Sequence, residues 1–204
     1  MRLPLAAAAL ALFLTLPAAS APLESVLREG DIIFHESRSA QSRAIQLATG
    51  SRYSHMGILY RNKGQWFVYE AVQPVKLTPL KSWIVRGERQ HFVVKRLKNA
   101  SLLTPATLAR MRQVGEQYRG KPYDLTFEWD DRRIYCSELV WKIYRGGAGI
   151  EIGRLQRLRD FDLSHPAVKK KMRERYGKKI PLNEPVISPS AMFDSKLLVE
   201  VARD

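Results

Sequence analysis

The clearest periodicity in the chain begins at its single cysteine. Cys136, Leu139, Val140, Ile143 and Tyr144 recur at i, i+3, i+4, i+7 and i+8, which predicts a helix with one apolar face. Gly146-Gly147 reads as its stop. Alternating or β-rich runs predict strands elsewhere. Gly30-Asp31-Ile32-Ile33-Phe34 is a turn feeding a short strand. Residues 53–60 and 65–72 are β-rich and flank Arg61-Asn62-Lys63-Gly64, so they predict an antiparallel hairpin with a four-residue link. That hairpin places His55 and Glu70 toward its open end. Residues 75–80 continue as an edge, 90–97 read as a further strand and 197–201 as a last one.

Helical spacing returns at 39–49, where Ala44, Ile45, Leu47 and Ala48 face inward, Ser37 or Ser39 caps and Gly50 stops the helix. Thr104-Pro105 is an N-cap followed by proline, opening a helix with Leu108, Met111, Val114 and Tyr118 on its apolar face and Gly120 at its end. Gly120-Lys121-Pro122-Tyr123-Asp124 is a turn rich in breakers. Ser164 caps a helix running to Tyr176, and Ser188-Pro189 opens a short one. No internal repeat or low-complexity tract interrupts the pattern, so 22–204 reads as one domain, of a size that closes a core.

The first 21 residues are different. Met1-Arg2 precedes a largely apolar run from 3 to 16 and the small-residue stretch Pro17-Ala18-Ala19-Ser20-Ala21. This is the pattern of a secretory signal, too short for a comfortable membrane span. It predicts a periplasmic or secreted protein. The formal net charge is +14, which points to anionic surroundings. Residues 154–179 carry ten Lys or Arg against three acids, half of that total. Read plainly, this is a solvated helix face; read functionally, it attracts an anionic membrane or cell-wall surface. Export and the lack of interleaved aromatics argue against nucleic acid.

Export also bears on the cysteine. One cysteine cannot form an internal disulfide, and a lone thiol in an oxidising compartment is either well buried or functional. At a helix N-terminus, free backbone N–H groups and the positive dipole end favour a thiolate over a thiol. Cys136 is therefore a candidate nucleophile, with a small buried hydrophobe as the alternative. A nucleophile of this kind needs a histidine base and often a third group to fix the imidazole. Of the four histidines, His35, His55, His91 and His165, none is singled out by position alone, although His165 reads as solvated. Glu70 is a candidate acid, against a surface carboxylate paired with lysine. Asp31 is the runner-up in a structural turn. No paired Cys or His spacing suggests a metal site, and no cofactor is called for.

Tyr-Ser-His-Met-Gly-Ile at 53–58, Val-Tyr-Glu-Ala at 68–71 and Tyr-Cys-Ser-Glu-Leu-Val at 135–140 resemble the permuted papain-fold hydrolases of the NlpC type, and within them the YiiX-like subgroup. The runs at 30–34 and 120–124 and Ile187-Ser188-Pro189 fit the same pattern. In the unpermuted family the cysteine helix precedes the histidine strand; here the histidine strand comes first. The resemblance implies an α+β fold, with an antiparallel sheet packed against the nucleophile helix. It implies Cys136 as nucleophile, His55 as base and then acid, Glu70 as orienting group, and Tyr123 lining the site near the oxyanion. The substrate implied is a peptide or peptidoglycan-derived amide, cleaved through a thioacyl intermediate. Lipid ester or thioester chemistry, or acyl transfer, is the alternative within related folds, and a non-catalytic binding module is the alternative outside enzymes.

Overall fold

The computed structural model describes residues 22–204, so the proposed signal segment lies outside the described residues. In chain order the elements are α1 (Leu23–Val26), β1 (Ile32–Ser37), α2 (Ala40–Thr49), β2 (His55–Asn62), β3 (Gln65–Glu70), β4 (Lys76–Pro79), α3 (Leu80–Val85), β5 (Gly87–Leu97), α4 (Pro105–Glu116), α5 (Cys136–Ala148), β6 (Gln156–Arg157), α6 (Pro166–Tyr176), β7 (Pro185–Val186), α7 (Pro189–Phe193) and β8 (Leu198–Arg203). Among the described residues the main sheet has six antiparallel strands in the order β4-β3-β2-β1-β5-β8. The architecture is α+β, as the sequence implies.

Alternation along the strands divides the core. Ile32, Phe34, Met56, Ile58, Tyr60, Tyr69 and Val93 pack with Leu139, Val140, Ile143 and Tyr144 of α5 and Met111 of α4. The other face carries Ile33, Leu59, Trp66, Val68, Phe92 and Val94, which are covered by Leu80 and Trp83 of α3 and by Leu27. The sheet is thus buried on both sides near its centre, which is why its middle strands are almost continuously apolar.

The hairpin forms, with a tighter link than the sequence suggests. Asn62 pairs with Gln65, leaving Lys63-Gly64 as a two-residue loop in which both φ angles are positive, at 46° and 81°. Arg61 and Asn62 are still strand, because the loop supplies the reversal alone. The helix opened by Thr104 is capped as expected, its side chain accepting from the Thr107 N–H. It ends at Glu116, however, and Tyr118 belongs to the following turn, where its hydroxyl donates to Asp131. Ser39, not Ser37, caps α2. His165, not Ser164, caps α6, its ring Nδ1 accepting from the Ala167 N–H at 3.1 Å. α3 has no counterpart in the sequence reading; it is a short turn of helix inserted between β4 and a β5 that starts three residues earlier than expected.

Gly146-Gly147 does not stop α5. Both are helical, and the left-handed residue that ends the helix is Gly149 at φ 70°. Gly147 is where α4 meets α5. A Cβ there would lie 2.5 Å from the Met111 Cα and 2.6 Å from its nitrogen, so glycine permits backbone-to-backbone contact between the helices. This position gives a test with an unambiguous sign. Helix propensity alone favours Gly147→Ala by about 1 kcal/mol. The contact predicts the reverse, a loss of about 1–3 kcal/mol from overpacking, measured by denaturant unfolding. A stabilised Gly147→Ala protein would refute the close approach.

Candidate active site

Cys136 is the first residue of α5, so its backbone N–H lacks an intrahelical acceptor. The start of the helix is fixed from several sides. The Glu138 carboxylate reaches back to the Tyr135 N–H at 3.4 Å and holds the Lys142 ammonium at 2.7 Å. Glu138 is fully buried, and burial pushes its pKa up to about 8 despite that ammonium and the Tyr135 N–H. Ser137 Oγ donates to the Ile187 carbonyl at 2.8 Å, while the Ile187 N–H donates to the Tyr135 hydroxyl at 3.2 Å. The Ile187-Ser188-Pro189 segment is thus a clamp on the residues either side of the cysteine.

His55 opens β2 and Glu70 closes β3, so both fall at the same end of the sheet. The register pairs Ile58 with Tyr69, which sets Gly57 opposite Glu70 and leaves His55 on the diagonal. A Cβ on Gly57 would fall 2.4 Å from Val68 and 3.3 Å from the Glu70 Cβ, so the glycine keeps that diagonal open. The Glu70 Oε2 meets His55 Nε2 at 2.6 Å. The Cys136 side chain lies close enough to His55 to help raise its pKa, and with Nε2 engaged by Glu70 the remaining ring nitrogen, Nδ1, is the one left for the sulfur. The structure therefore brings together the three residues that the family resemblance names, from two hairpin strands and a helix far along the chain.

Glu70 is completely buried, and four donors saturate it. Besides His55, Trp83 Nε1 donates to Oε2 at 2.9 Å, Thr78 Oγ1 to Oε1 at 2.6 Å and Arg86 Nη2 to Oε1 at 2.5 Å. It is not the surface carboxylate of the alternative reading, even though Lys76 is its register partner on β4. Burial by itself raises its pKa; His55 and Arg86 overcome that and hold it near about 2. For His55 burial by itself lowers the pKa, and the Cys136 and Glu70 partners more than reverse this, to about 9. The arrangement is a buried carboxylate, an imidazolium and the Cys136 sulfur in series.

Tyr123 flanks the thiol from a different segment. Ile134 N–H donates to the Pro122 carbonyl and Asp124 N–H to the Ile134 carbonyl, so the run at 120–124 lies alongside the residues entering α5. Gln73 Oε1 accepts from the Tyr123 N–H at 2.7 Å. The Tyr123 phenol accepts from Gln41 Nε2 at 3.2 Å and lines the same cavity as Cys136. Burial and the adjacent sulfur push its pKa well above the usual value, so it remains a protonated donor.

Several contributors were not legible beforehand. Thr78, Trp83, Arg86 and Gln41 carry no signal as single residues. His35 has one: once β1 and β2 pair, it lies opposite His55. Its ring stacks on Trp83 with centroids 3.9 Å apart, and burial, then the charges of His55 and Arg86, lower its pKa to about 2, so it stays neutral. Asp31 is engaged elsewhere, by two Arg96 hydrogen bonds at 2.8 and 2.7 Å. His91 pairs with Asp204 and His165 is an exposed cap. Among the described residues no group of three or more His, Cys, Asp or Glu side chains is arranged to hold a metal ion.

An antiparallel sheet that presents histidine and a buried acid to a cysteine at a helix start defines a papain-like cysteine hydrolase, with the chain order of the permuted type. The chain belongs to the permuted papain-like amidase family C92, of the YaeF/YiiX kind, whose model matches residues 26–202. It is 50% identical over 175 residues to the Escherichia coli (strain K12) protein YiiX, covering 86% of each chain. It is likewise similar to a crystal structure described as metalloprotein yiiX from Escherichia coli O157:H7, with a TM-score of 0.84 and 50% identity over 88% of this chain and 98% of that one.

The shifts of His55 and Glu70 make the fold's stability depend on pH from both sides. The His55 pKa is raised above its ordinary 6.5, so its contribution is complete below that value and is lost as pH rises through about 9. The Glu70 pKa is lowered from 4.5, so its contribution is complete above that value and is lost as pH falls through about 2. Melting temperatures should therefore decline between pH 6.5 and 9 in the wild type, and His55→Gln should flatten that decline. Glu70→Ala, which strands the buried partners, should cost about 3–5 kcal/mol in denaturant unfolding. A Glu70→Ala protein as stable as wild type would contradict the saturated carboxylate.

Proposed function

We propose that this cysteine hydrolase cleaves an amide through a thioacyl intermediate, with Cys136, His55 and Glu70 as nucleophile, acid–base and orienting group. The single observation that carries the reading is the placement of His55 between a buried carboxylate and the thiol. The Cys136 sulfur attacks the carbonyl carbon, and charge moves onto the carbonyl oxygen. The Cys136 backbone N–H and the Tyr123 hydroxyl are the donors near that oxygen. The His55 imidazolium then gives its proton to the leaving nitrogen, the C–N bond breaks and a thioester remains. Neutral His55 next takes a proton from water as the water oxygen attacks the thioester. The acid product leaves and the thiolate–imidazolium pair is restored. Throughout, Glu70 keeps the ring in one orientation and stabilises its charged form.

The substrate class that fits the family resemblance is a peptide or cell-wall-derived amide outside the cytoplasm. The apolar run at 3–16 supports export, and the basic 154–179 segment, whose Lys169, Lys170 and Arg173 are exposed on α6, supports attraction to an anionic envelope surface. The relative described as a metalloprotein raises the question of a metal here. The donors do not fit one: His55 Nε2 and both Glu70 oxygens are already committed to each other and to Thr78, Trp83 and Arg86.

Iodoacetamide labelling followed by mass spectrometry tests the reading. Cys136 of the wild type should be alkylated at pH 7, and His55→Ala should slow that labelling by at least about tenfold while lowering turnover of an amide substrate about 10²–10⁴-fold. Equal labelling rates in the two proteins would defeat the assignment.

A further inference from the structure

His35 lies beside His55 and has no polar partner of its own. Strand register sets the two residues opposite each other, with ring centroids 5.2 Å apart. The His35 ring stacks on Trp83 and is only 2% exposed. Its Nδ1 is sealed from solvent and meets no donor or acceptor. Its Nε2 makes no hydrogen bond among the described residues, and the ring borders a polar cavity of about 400 Å³ that also opens on His55. A buried imidazole without partners is costly to keep. Its neighbours in the cavity wall are already satisfied. Ser54 Oγ accepts from the Ser37 N–H and shares a hydrogen bond with Ser42 Oγ. Ser39 Oγ accepts from the Ser42 N–H, and Gln73 Oε1 from the Tyr123 N–H.

Deacylation gives such a ring a use. His55 protonates the leaving group, so the same imidazole, once neutral, takes a proton from the incoming water, and water enters where the leaving group departed. That is the histidine side. The cavity on the cysteine side is lined mainly by apolar side chains and holds water poorly. We infer that His35 Nε2 holds the hydrolytic water against His55, which makes His35 a catalytic residue of the second half-reaction. This deepens the hydrolase reading above and rests on it.

The chemistry of the ring suits the task. His35 stays neutral, because burial and the charges of His55 and Arg86 all oppose a second imidazolium. A neutral imidazole accepts from a water at Nε2 in one tautomer and donates to it in the other, so either holds the water. It also adds no positive charge beside His55. In the step itself the water oxygen bonds to the thioester carbon, one water proton passes to His55, and the C–S bond breaks to release the Cys136 thiolate. His35 gains and loses no proton. It orients the water, so its effect falls on deacylation and leaves acylation alone.

4-Nitrophenyl acetate separates the two half-reactions in the full-chain protein. Release of 4-nitrophenolate reports acetylation of Cys136. Intact-protein mass spectrometry of the acetyl-enzyme, freed of excess ester, reports its hydrolysis. His35→Phe keeps an aromatic ring on Trp83 and removes both nitrogens. Its acetylation rate should stay within about threefold of wild type, while its acetyl-enzyme should hydrolyse about tenfold more slowly, the worth of one hydrogen bond. His35→Gln, which puts a polar group back, should recover most of that loss. Melting curves check folding, and His35→Leu takes the place of a His35→Phe protein that does not melt cooperatively, with the same expectations. Equal hydrolysis rates in wild type and variant would overturn the water site. So would a parallel fall in acetylation and hydrolysis, which marks a ring that only supports the fold. A wild type never acetylated at Cys136 would defeat the hydrolase reading as well, whereas acetylation with unchanged deacylation would reject the water site alone.

Discussion

A buried carboxylate is the constraint around which this protein is built. Taking Glu70 out of water is costly unless its lone pairs are met, and here four donors, from β2, β4, α3 and the residue that caps α3, meet them. The requirement explains features that otherwise look unrelated. β4 must lie beside β3 so that Thr78 can reach. α3 must follow at once so that Trp83 covers the carboxylate and presents its indole N–H. Arg86 must follow α3 directly so that a positive charge joins Thr78 at Oε1. One consequence of this assembly is that His55 has a fixed partner on its Nε2 and thus a fixed orientation.

The second half of the site is held by a different set of contacts. α5 is amphipathic, and its apolar face settles on the central strands, bringing its N-terminus to the end of the sheet where β2 begins. Rotation of that N-terminus is limited by Glu138 from within the helix and by Ile187 from the far end of the chain. Gly147 lets α4 approach α5 closely at the opposite end. The sulfur and the imidazole therefore meet because two rigid bodies, a hairpin and a helix, are each anchored independently. In the permuted order the chain enters through the acid–base strands and reaches the nucleophile later. The site depends only on which ends of which elements coincide, so the order of entry leaves its geometry intact.

Much of this could be read from the residues. The cysteine helix announces itself by its period, the hairpin by its β-rich flanks and turn, and the caps Ser39, Thr104 and Ser188 by their hydroxyls ahead of helical runs. Together with the family resemblance, those elements were enough to name Cys136, His55, Glu70 and Tyr123 as candidates. What escaped was anything defined by tertiary contact. Trp83 and Arg86 look like an ordinary apolar and an ordinary charged residue until β3 and α3 are docked. His35 becomes a neighbour of His55 only through strand register. Gly146-Gly147 imitates a helix stop because the reason for glycine, the nearness of α4, is not local. Likewise, the apolar cleft beside Cys136 gathers its walls from α2, from residues 123–163, from α6 and from 186–189, and no window of sequence contains it.

The central claim is that Glu70 keeps His55 charged and aimed at Cys136. Nitrogen-15 chemical shifts of the His55 imidazole, followed through a pH titration, measure it most directly. The account predicts an imidazolium that persists through pH 7 and titrates near about 9 in the wild type. In a Glu70→Gln protein the same resonance should titrate at markedly lower pH. A neutral His55 ring at pH 7 in the wild type, or a titration unchanged by Glu70→Gln, would contradict it.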